Sequence, residues 1–265
     1  MIKVNEEKIR NIDLKTENLY VISDFDSTIT TGESYGSLDV ITKSGLLGDE
    51  YFRRYIELKE KYKGREDETK DAFFRRELWI KFMSEYIQML KDFDLTEYLL
   101  ESIIKNSNIR IRKEYDVFIK YLNKNHIPLI ILSSGLGNSI EIFLKINKLY
   151  YDNIYVISNF VTFDKYGKII DVPKEVITPV TKNEVKFDKD IKKLILNRNN
   201  KLVFGDIPND IGMSMINKDD NTLTIAFCNF KKYKEKLCKK FDIVVEDSEI
   251  LDLLINLMNG AKTNE

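Results

Sequence analysis

At 265 residues, with 43% hydrophobic and 11% aromatic side chains, the chain exceeds one average domain of about 150 residues and carries ample material for a packed core, which excludes global disorder. Its 42 basic and 43 acidic side chains nearly cancel, so no bulk positive field draws it to nucleic acid or to an anionic membrane, and an anionic ligand must be held by local chemistry. The first residues lack an apolar signal core, no stretch is long and apolar enough to span a bilayer, and Cys228 and Cys238 read as reduced thiols; a cytoplasmic protein is expected.

In chain order, residues 19–23 form an apolar run that stops at Asp24, the pattern of a buried parallel strand delivering a polar loop at its carboxyl end. Residues 39–112 then change to long, charged helical periodicity, with helices predicted over 51–62, 71–90 and 95–104 and no convincing strand. Strand signals return at 127–132, preceded by an amphipathic helix over 113–123 and followed by another over 136–146. A third strand is predicted at 153–158, and residues 160–163 and 168–170 flank Asp164, Lys165, Tyr166 and Gly167 as a hairpin. Runs at 201–204 and 222–227 complete the main sheet, with 241–245 as an edge strand. Strands alternating with helices predict an α/β, doubly wound Rossmann-like parallel sheet with ligands at its carboxyl ends. Residues 1–32 and 113–265 are expected to form this core domain, and 33–112 an inserted α-helical cap. The lysine-rich stretch 231–240 carries apolar residues at helical spacing and reads as a solvated helix face.

The strand ends carry the chemistry. The first delivers Asp24, Phe25, Asp26, Ser27 and Thr28; the second Ser133, Ser134 and Gly135; the fourth the run from Gly205 and Asp206 to Asn209 and Asp210; Lys182 lies between the last two. Each piece alone is weak, since an Asp pair at a strand end is often a helix cap and a lone Lys a solvated charge. Carboxylates that converge repel one another unless a hard cation sits among them, and Mg²⁺ prefers oxygen ligands and phosphate-bearing substrates.

In this order and at strand ends, the four motifs resemble those of the haloacid dehalogenase (HAD) superfamily of phosphohydrolases. The resemblance implies a Mg²⁺-dependent phosphomonoesterase working through an aspartyl phosphate, with Asp24 as nucleophile, Asp26 as general acid and base, and Ser133 and Lys182 on the phosphate. It also implies a metal site drawn from Asp24, Asp26, Asp206 and Asp210, with Asp26 giving its backbone carbonyl and Asp210 orienting metal-bound water. Superfamily ion pumps carry Thr at the position of Asp26 and hydrolyse slowly; Asp here points to hydrolysis.

Over nearly the whole chain, through residues 58–62, 114–118, 127–129, 158–160, 163–164 and 241–244, the sequence is similar to the cytosolic pyrimidine 5'-nucleotidase family, type III. That likeness implies a nucleoside 5'-monophosphate as substrate, with Glu66 and Trp79 supplied to the base by the cap and Phe25, Ser134, Gly135 and Ser158 also on the substrate. Residues 80–83 are more apolar than the family's cap at that place. The alternative resemblance is to phosphoserine phosphatases, in which Glu33, nine residues after Asp24, matches the glutamate that binds the substrate amine. A flat aromatic slot in the cap favours a base, and an Arg and Glu pair an amino acid. The lone His126 precedes the second strand, far from all four motifs, and reads as a loop residue.

Overall fold

Leu19–Ser23 (β1) is buried along its whole length, and its side chains divide between two apolar clusters, Leu19 and Val21 in one and Tyr20 and Ile22 in the other. A strand covered on both faces has no solvated side to keep polar, which is why this run shows no alternation. In the computed structural model, which describes residues 1–62 and 71–260, β1 is preceded by a short helix, Glu6–Asn11 (α1), and followed by the helices Asp39–Ser44 (α2), Gly48–Tyr62 (α3), Ala72–Asp92 (α4) and Glu97–Lys105 (α5). Then come Tyr115–Lys124 (α6), Leu129–Leu136 (β2), Gly137–Ile146 (α7), Ile154–Asn159 (β3) and a hairpin of Thr162–Phe163 (β4) with Ile169–Asp171 (β5). Lys189–Ile195 (α8), Asn200–Gly205 (β6), Asn221–Phe227 (β7), Lys234–Lys240 (α9), Ile243–Val245 (β8) and Glu249–Met258 (α10) complete the chain.

The main sheet has the order β3-β2-β1-β6-β7-β8, and every neighbouring pair is parallel. From β1 the chain proceeds outward through β2 and β3 on one side and later restarts at β6 on the other. The connections therefore diverge at the carboxyl ends of β1 and β6 and leave a crevice there, the place where open α/β sheets bind ligands. Ile191 and Ile195 of α8 pack with Tyr20, Ile22, Ile130 and Val203 on one face; α6, α7 and α10 bury apolar side chains in the larger cluster on the other.

Between β1 and α6 the regular elements among the described residues are helices, joined by turns, with single bridges that link Thr30 to Ile111 and Thr96 to Lys168. Tyr51, Tyr55, Leu58 and Tyr62 recur every three or four residues and so share one buried face of α3. That face meets α4, whose Tyr86 hydroxyl bonds Thr42 Oγ1 of α2 at 2.8 Å. The start of α4 is set by Asp71, whose side chain accepts the orphan N–H groups of Phe73 and Phe74 at 2.9 and 3.2 Å. The β4-β5 hairpin braces the end of α4, where Lys91 donates to the Ile170 carbonyl at 2.7 Å.

The elements depart from the sequence reading mainly at their ends. Strand β2 continues to Leu136, through Ser133, Ser134 and Gly135, with a shift in its register to β3 between Leu132 and Leu136. Helix α6 begins at Tyr115, two residues later than the periodicity suggests. His126 is an exposed loop residue with positive φ, as its position implies.

Candidate active site

Asp24 leaves the end of β1 with its backbone N–H donating to the Phe204 carbonyl at 3.0 Å, so the first residue after β1 stays tied to β6. Its carboxylate accepts from Lys182 Nζ at 2.5 Å and from Thr28 Oγ1 at 3.3 Å. Lys182 stands in a 3-10 turn, Lys182–Glu184, and donates a second bond to Asp210 Oδ1 at 2.7 Å. The other Asp210 oxygen accepts the Asp206 and Ile207 backbone N–H groups at 3.0 and 3.1 Å, which folds the loop after β6 back on itself. Gly205 is needed beneath it: a Cβ there would lie 2.4 Å from that of Asp210.

Oxygens of Asp24, Asp206 and Asp210 lie within 4.8 Å of one another, all buried. Three carboxylates against one ammonium leave an excess of negative charge in a buried site. Burial pushes Asp24 up to about 6, with the Lys182 charge opposing and that of Asp210 adding. Burial, then Asp210 and Asp24, drive Asp206 well above the usual carboxylate range. Burial disfavours the charge on Lys182, but the Asp210 and Asp24 carboxylates outweigh it and keep the ammonium protonated. A buried, all-oxygen donor set with uncompensated negative charge fits Mg²⁺.

Asp26 is outside that cluster. Both its oxygens are held by Ser37, Oδ1 by the backbone N–H at 2.7 Å and Oδ2 by the hydroxyl at 2.8 Å. Burial and the neighbouring Asp24 charge nevertheless raise it to about 7, against the two Ser37 bonds. Gly135 makes the close approach possible, since a Cβ there would fall 1.8 Å from Ser37 Oγ and 2.9 Å from Asp26 Oδ2.

From Asp26, Ser134 and Gly135 a cavity of about 290 Å³ extends to an aromatic wall. Tyr55 packs on Tyr86 with ring centroids 5.1 Å apart, Tyr86 on Phe82 at 5.8 Å, and Phe82 edge-on to Trp79 at 5.9 Å and to Tyr62 at 6.0 Å. Phe82 and Met83, from the apolar stretch of α4, line this wall. Glu33 is not among the lining residues; it is exposed, and its carbonyl accepts from Asn108 Nδ2 at 3.3 Å.

The pattern of the pyrimidine 5'-nucleotidase family (UMPH-1) matches residues 18–261. The chain belongs to this family. It is therefore an enzyme, a 5'-nucleotidase on a HAD-type phosphatase fold. It is 27% identical over 252 residues to 7-methylguanosine phosphate-specific 5'-nucleotidase A of Xenopus laevis, covering 91% of this chain and 87% of that one. The corresponding enzyme of Homo sapiens is 25% identical, with 91% and 84% covered. Among solved structures, cytosolic 5'-nucleotidase IIIB bound to cytidine shares the fold with a TM-score of 0.80 at 21% identity, over 96% of this chain and 88% of that one. A phosphoserine phosphatase with an analogue of the phospho-aspartyl intermediate superposes with a TM-score of 0.58 at 25% identity, over 91% and 98%.

Several residues expected at the substrate of this nucleotidase sit elsewhere. The Phe25 ring is fully buried, edge-on to Phe143 at 5.7 Å, because the apolar face of Leu19 and Val21 continues to the second residue past the strand's end; the Phe25 backbone N–H donates to the Asp24 carboxylate. Ser158 spends its hydroxyl on the Gly135 carbonyl at 3.0 Å, so it shapes the loop and does not line the cavity. Ser133 is buried and accepts from the Gly135 N–H at 3.0 Å. Ser134, Gly135 and Trp79 do line the cavity, whereas Glu66 lies outside the described residues.

Four supports escape a motif reading. Arg112 donates to the carbonyls of Ser27 at 2.6 Å and Thr28 at 2.8 Å and lies over the Phe227 ring at 4.1 Å. Asn229 donates to Ser27 at 2.7 Å and accepts from Arg112 at 2.9 Å. Together they hold the loop after β1 from behind, around a left-handed Ser27. Asn159 donates to the Ser134 and Ile177 carbonyls, both at 2.9 Å, and accepts from the Ile177 N–H at 2.8 Å, joining the second motif to the segment that leads to Lys182. Ser37 is the fourth. No periodicity or spacing marks such single polar residues; a strand-end Asn after Ile157 and Ser158 is the faintest of signals.

Proposed function

We propose that this nucleotidase is a Mg²⁺-dependent hydrolase of nucleoside 5'-monophosphates, pyrimidine ones foremost, acting through a phosphorylated Asp24. The observation that carries the reading is the aromatic cavity opening directly beside Asp26 and Gly135: a base has a wall to lie on while its phosphate reaches Asp24. Asp24, Asp206 and Asp210 would hold the cation, with Asp26 adding its backbone carbonyl. Bound there, Mg²⁺ supplies charge screening for the phosphate and relieves the repulsion among the carboxylates.

Lys182 donates to Asp24 and Asp210 and so fixes the nucleophile's orientation and presents positive charge to the equatorial phosphate oxygens. The Ser133 hydroxyl, whose oxygen accepts the Gly135 N–H, would supply a further donor to those oxygens. The Asp24 carboxylate attacks phosphorus and the ester P–O bond breaks. Asp26, protonated near neutral pH, gives its proton to the departing nucleoside oxygen. It then takes a proton from the water that attacks the acyl phosphate, which frees Asp24 and inorganic phosphate. Helices α2 to α5, within residues 33–112, act as the cap that covers this chemistry.

A second reading, 7-methylguanosine monophosphate as the substrate, is favoured by the names of the curated relatives and by a wall whose ring faces could receive a cationic base. Phosphate release from UMP, CMP, AMP, 7-methylguanosine monophosphate, phosphoserine and phenyl phosphate, with Mg²⁺ or EDTA, tests both. Pyrimidine monophosphates should lead and EDTA should abolish turnover. Phosphoserine in the lead would overturn the nucleotide reading, and the methylated nucleotide in the lead would replace its pyrimidine part.

A further inference from the structure

Resting on the nucleotidase reading, we infer that Asp39 is the residue that reads the ribose, by accepting hydrogen bonds from its 2'- and 3'-hydroxyls, and so selects ribonucleotides over 2'-deoxyribonucleotides. Asp39, the first residue of α2, lines the cavity and is exposed in it. Its place along the cavity follows from its neighbours. On one side, the space beside Gly36 is bounded by both carboxylates, Asp26 Oδ2 lying 3.4 Å and Asp39 Oδ2 3.8 Å from a Cβ built there. On the other, the Tyr55 hydroxyl donates to Asp39 Oδ1 at 3.5 Å, and the Tyr55 ring begins the aromatic wall that runs through Tyr86 and Phe82 to Trp79.

A nucleotide laid along this cavity has its ester oxygen at Asp26 and its base on the wall. The ribose falls between them, at Asp39. A carboxylate accepts from two donors at once, and the vicinal hydroxyls of ribose are such a pair; an ionised carboxylate would repel a second phosphate. The bond from Tyr55 is long and spends little of the accepting capacity of Asp39, which leaves its oxygens available to a ligand.

The test compares kcat/KM for UMP and dUMP in the full-length enzyme with Mg²⁺, for wild type, Asp39→Ala and Asp39→Asn. The ratio is the readout, because any effect of the substitution on Asp26 or on folding scales both substrates alike and cancels. Wild type should prefer UMP by about tenfold or more. Asp39→Ala should bring the ratio to about one, mainly by slowing UMP, and Asp39→Asn, which keeps one acceptor oxygen and the side-chain shape, should fall between. A ratio unchanged in both variants, or a wild type that does not distinguish the sugars, overturns the inference while leaving the nucleotidase reading intact. A wild type that hydrolyses phenyl phosphate or phosphoserine but no nucleotide overturns both.

Discussion

Two carboxylates separated by one residue take different parts because their surroundings differ. Asp24 is anchored to Lys182 and Thr28 among the other acids, while Asp26 turns away to Ser37 and keeps a proton to about pH 7. A group whose folded value is raised is protonated below that value and loses its proton as the pH rises through it. The step that needs Asp26 as an acid should therefore weaken above about pH 7 for a nucleotide, whose leaving alkoxide is strongly basic. An aryl phosphate, with a stable phenolate to release, should lack that alkaline fall. In Asp26→Asn, nucleotide turnover should drop by about 10²-fold or more. With p-nitrophenyl phosphate the first turnover should survive and later ones stall, seen as a burst in stopped-flow absorbance. An unaltered alkaline limb and no burst would remove Asp26 from the proton path.

At the scale of elements, the loop after β1 keeps its shape because Arg112 reaches it from the far end of the helical segment. This guanidinium is buried, fans across the carbonyls of Ser27, Thr28 and Thr30, and rests on Phe227. Arg112→Lys should not rescue the loop, since a single ammonium cannot reproduce a planar fork and a ring contact. A loss of about 2–3 kcal/mol in urea unfolding, with kcat falling alongside, is the expected result for Lys and Ala alike. Wild-type stability in Arg112→Lys would show that charge alone suffices. The strands were legible because a sheet covered on both faces demands apolar runs, and residues 19–22 of β1, 202–204 of β6 and 225–227 of β7 supply them. The end of β2 was not, because Ser133 to Gly135 look like a loop by composition and fall in the register shift between Leu132 and Leu136, where the side chains of Ser158 and Asn159 hold the Gly135 and Ser134 carbonyls. The charged centre could be read from Asp24, Lys182, Asp206 and Asp210 as motif residues. The roles of Phe25 and Ser158 could not, since adjacency in sequence does not say which way a side chain points. Arg112 and Asn229 belong to no local pattern at all.

For the whole molecule, the helical segment and the sheet meet over Lys182. Arg76 of α4 donates to both oxygens of Glu184, at 2.7 and 2.6 Å, and Glu184 closes the 3-10 turn that begins with Lys182. The pair is well exposed, so solvent screens it and it contributes little to folding. Its consequence lies in registering α4, and with it Trp79 and Phe82, against the turn that bears Lys182. Arg76→Ala should leave the melting temperature within about 3 °C of wild type. Its kcat/KM for UMP should fall several-fold more than that for phenyl phosphate, which has no base to place. Equal losses on both substrates would show that the pair serves the core and not the alignment of cap and sheet.

The proposed mechanism turns on one covalent event, the transfer of phosphate to Asp24. Enzyme mixed with radiolabelled UMP and Mg²⁺, quenched in acid during turnover and mapped by peptide mass, should carry label on the peptide containing Asp24. The label should discharge on brief alkaline treatment, as an acyl phosphate does, and Asp24→Asn should carry none and release no phosphate. Label on another residue, or phosphate release by Asp24→Asn at a rate near that of wild type, would contradict the assignment.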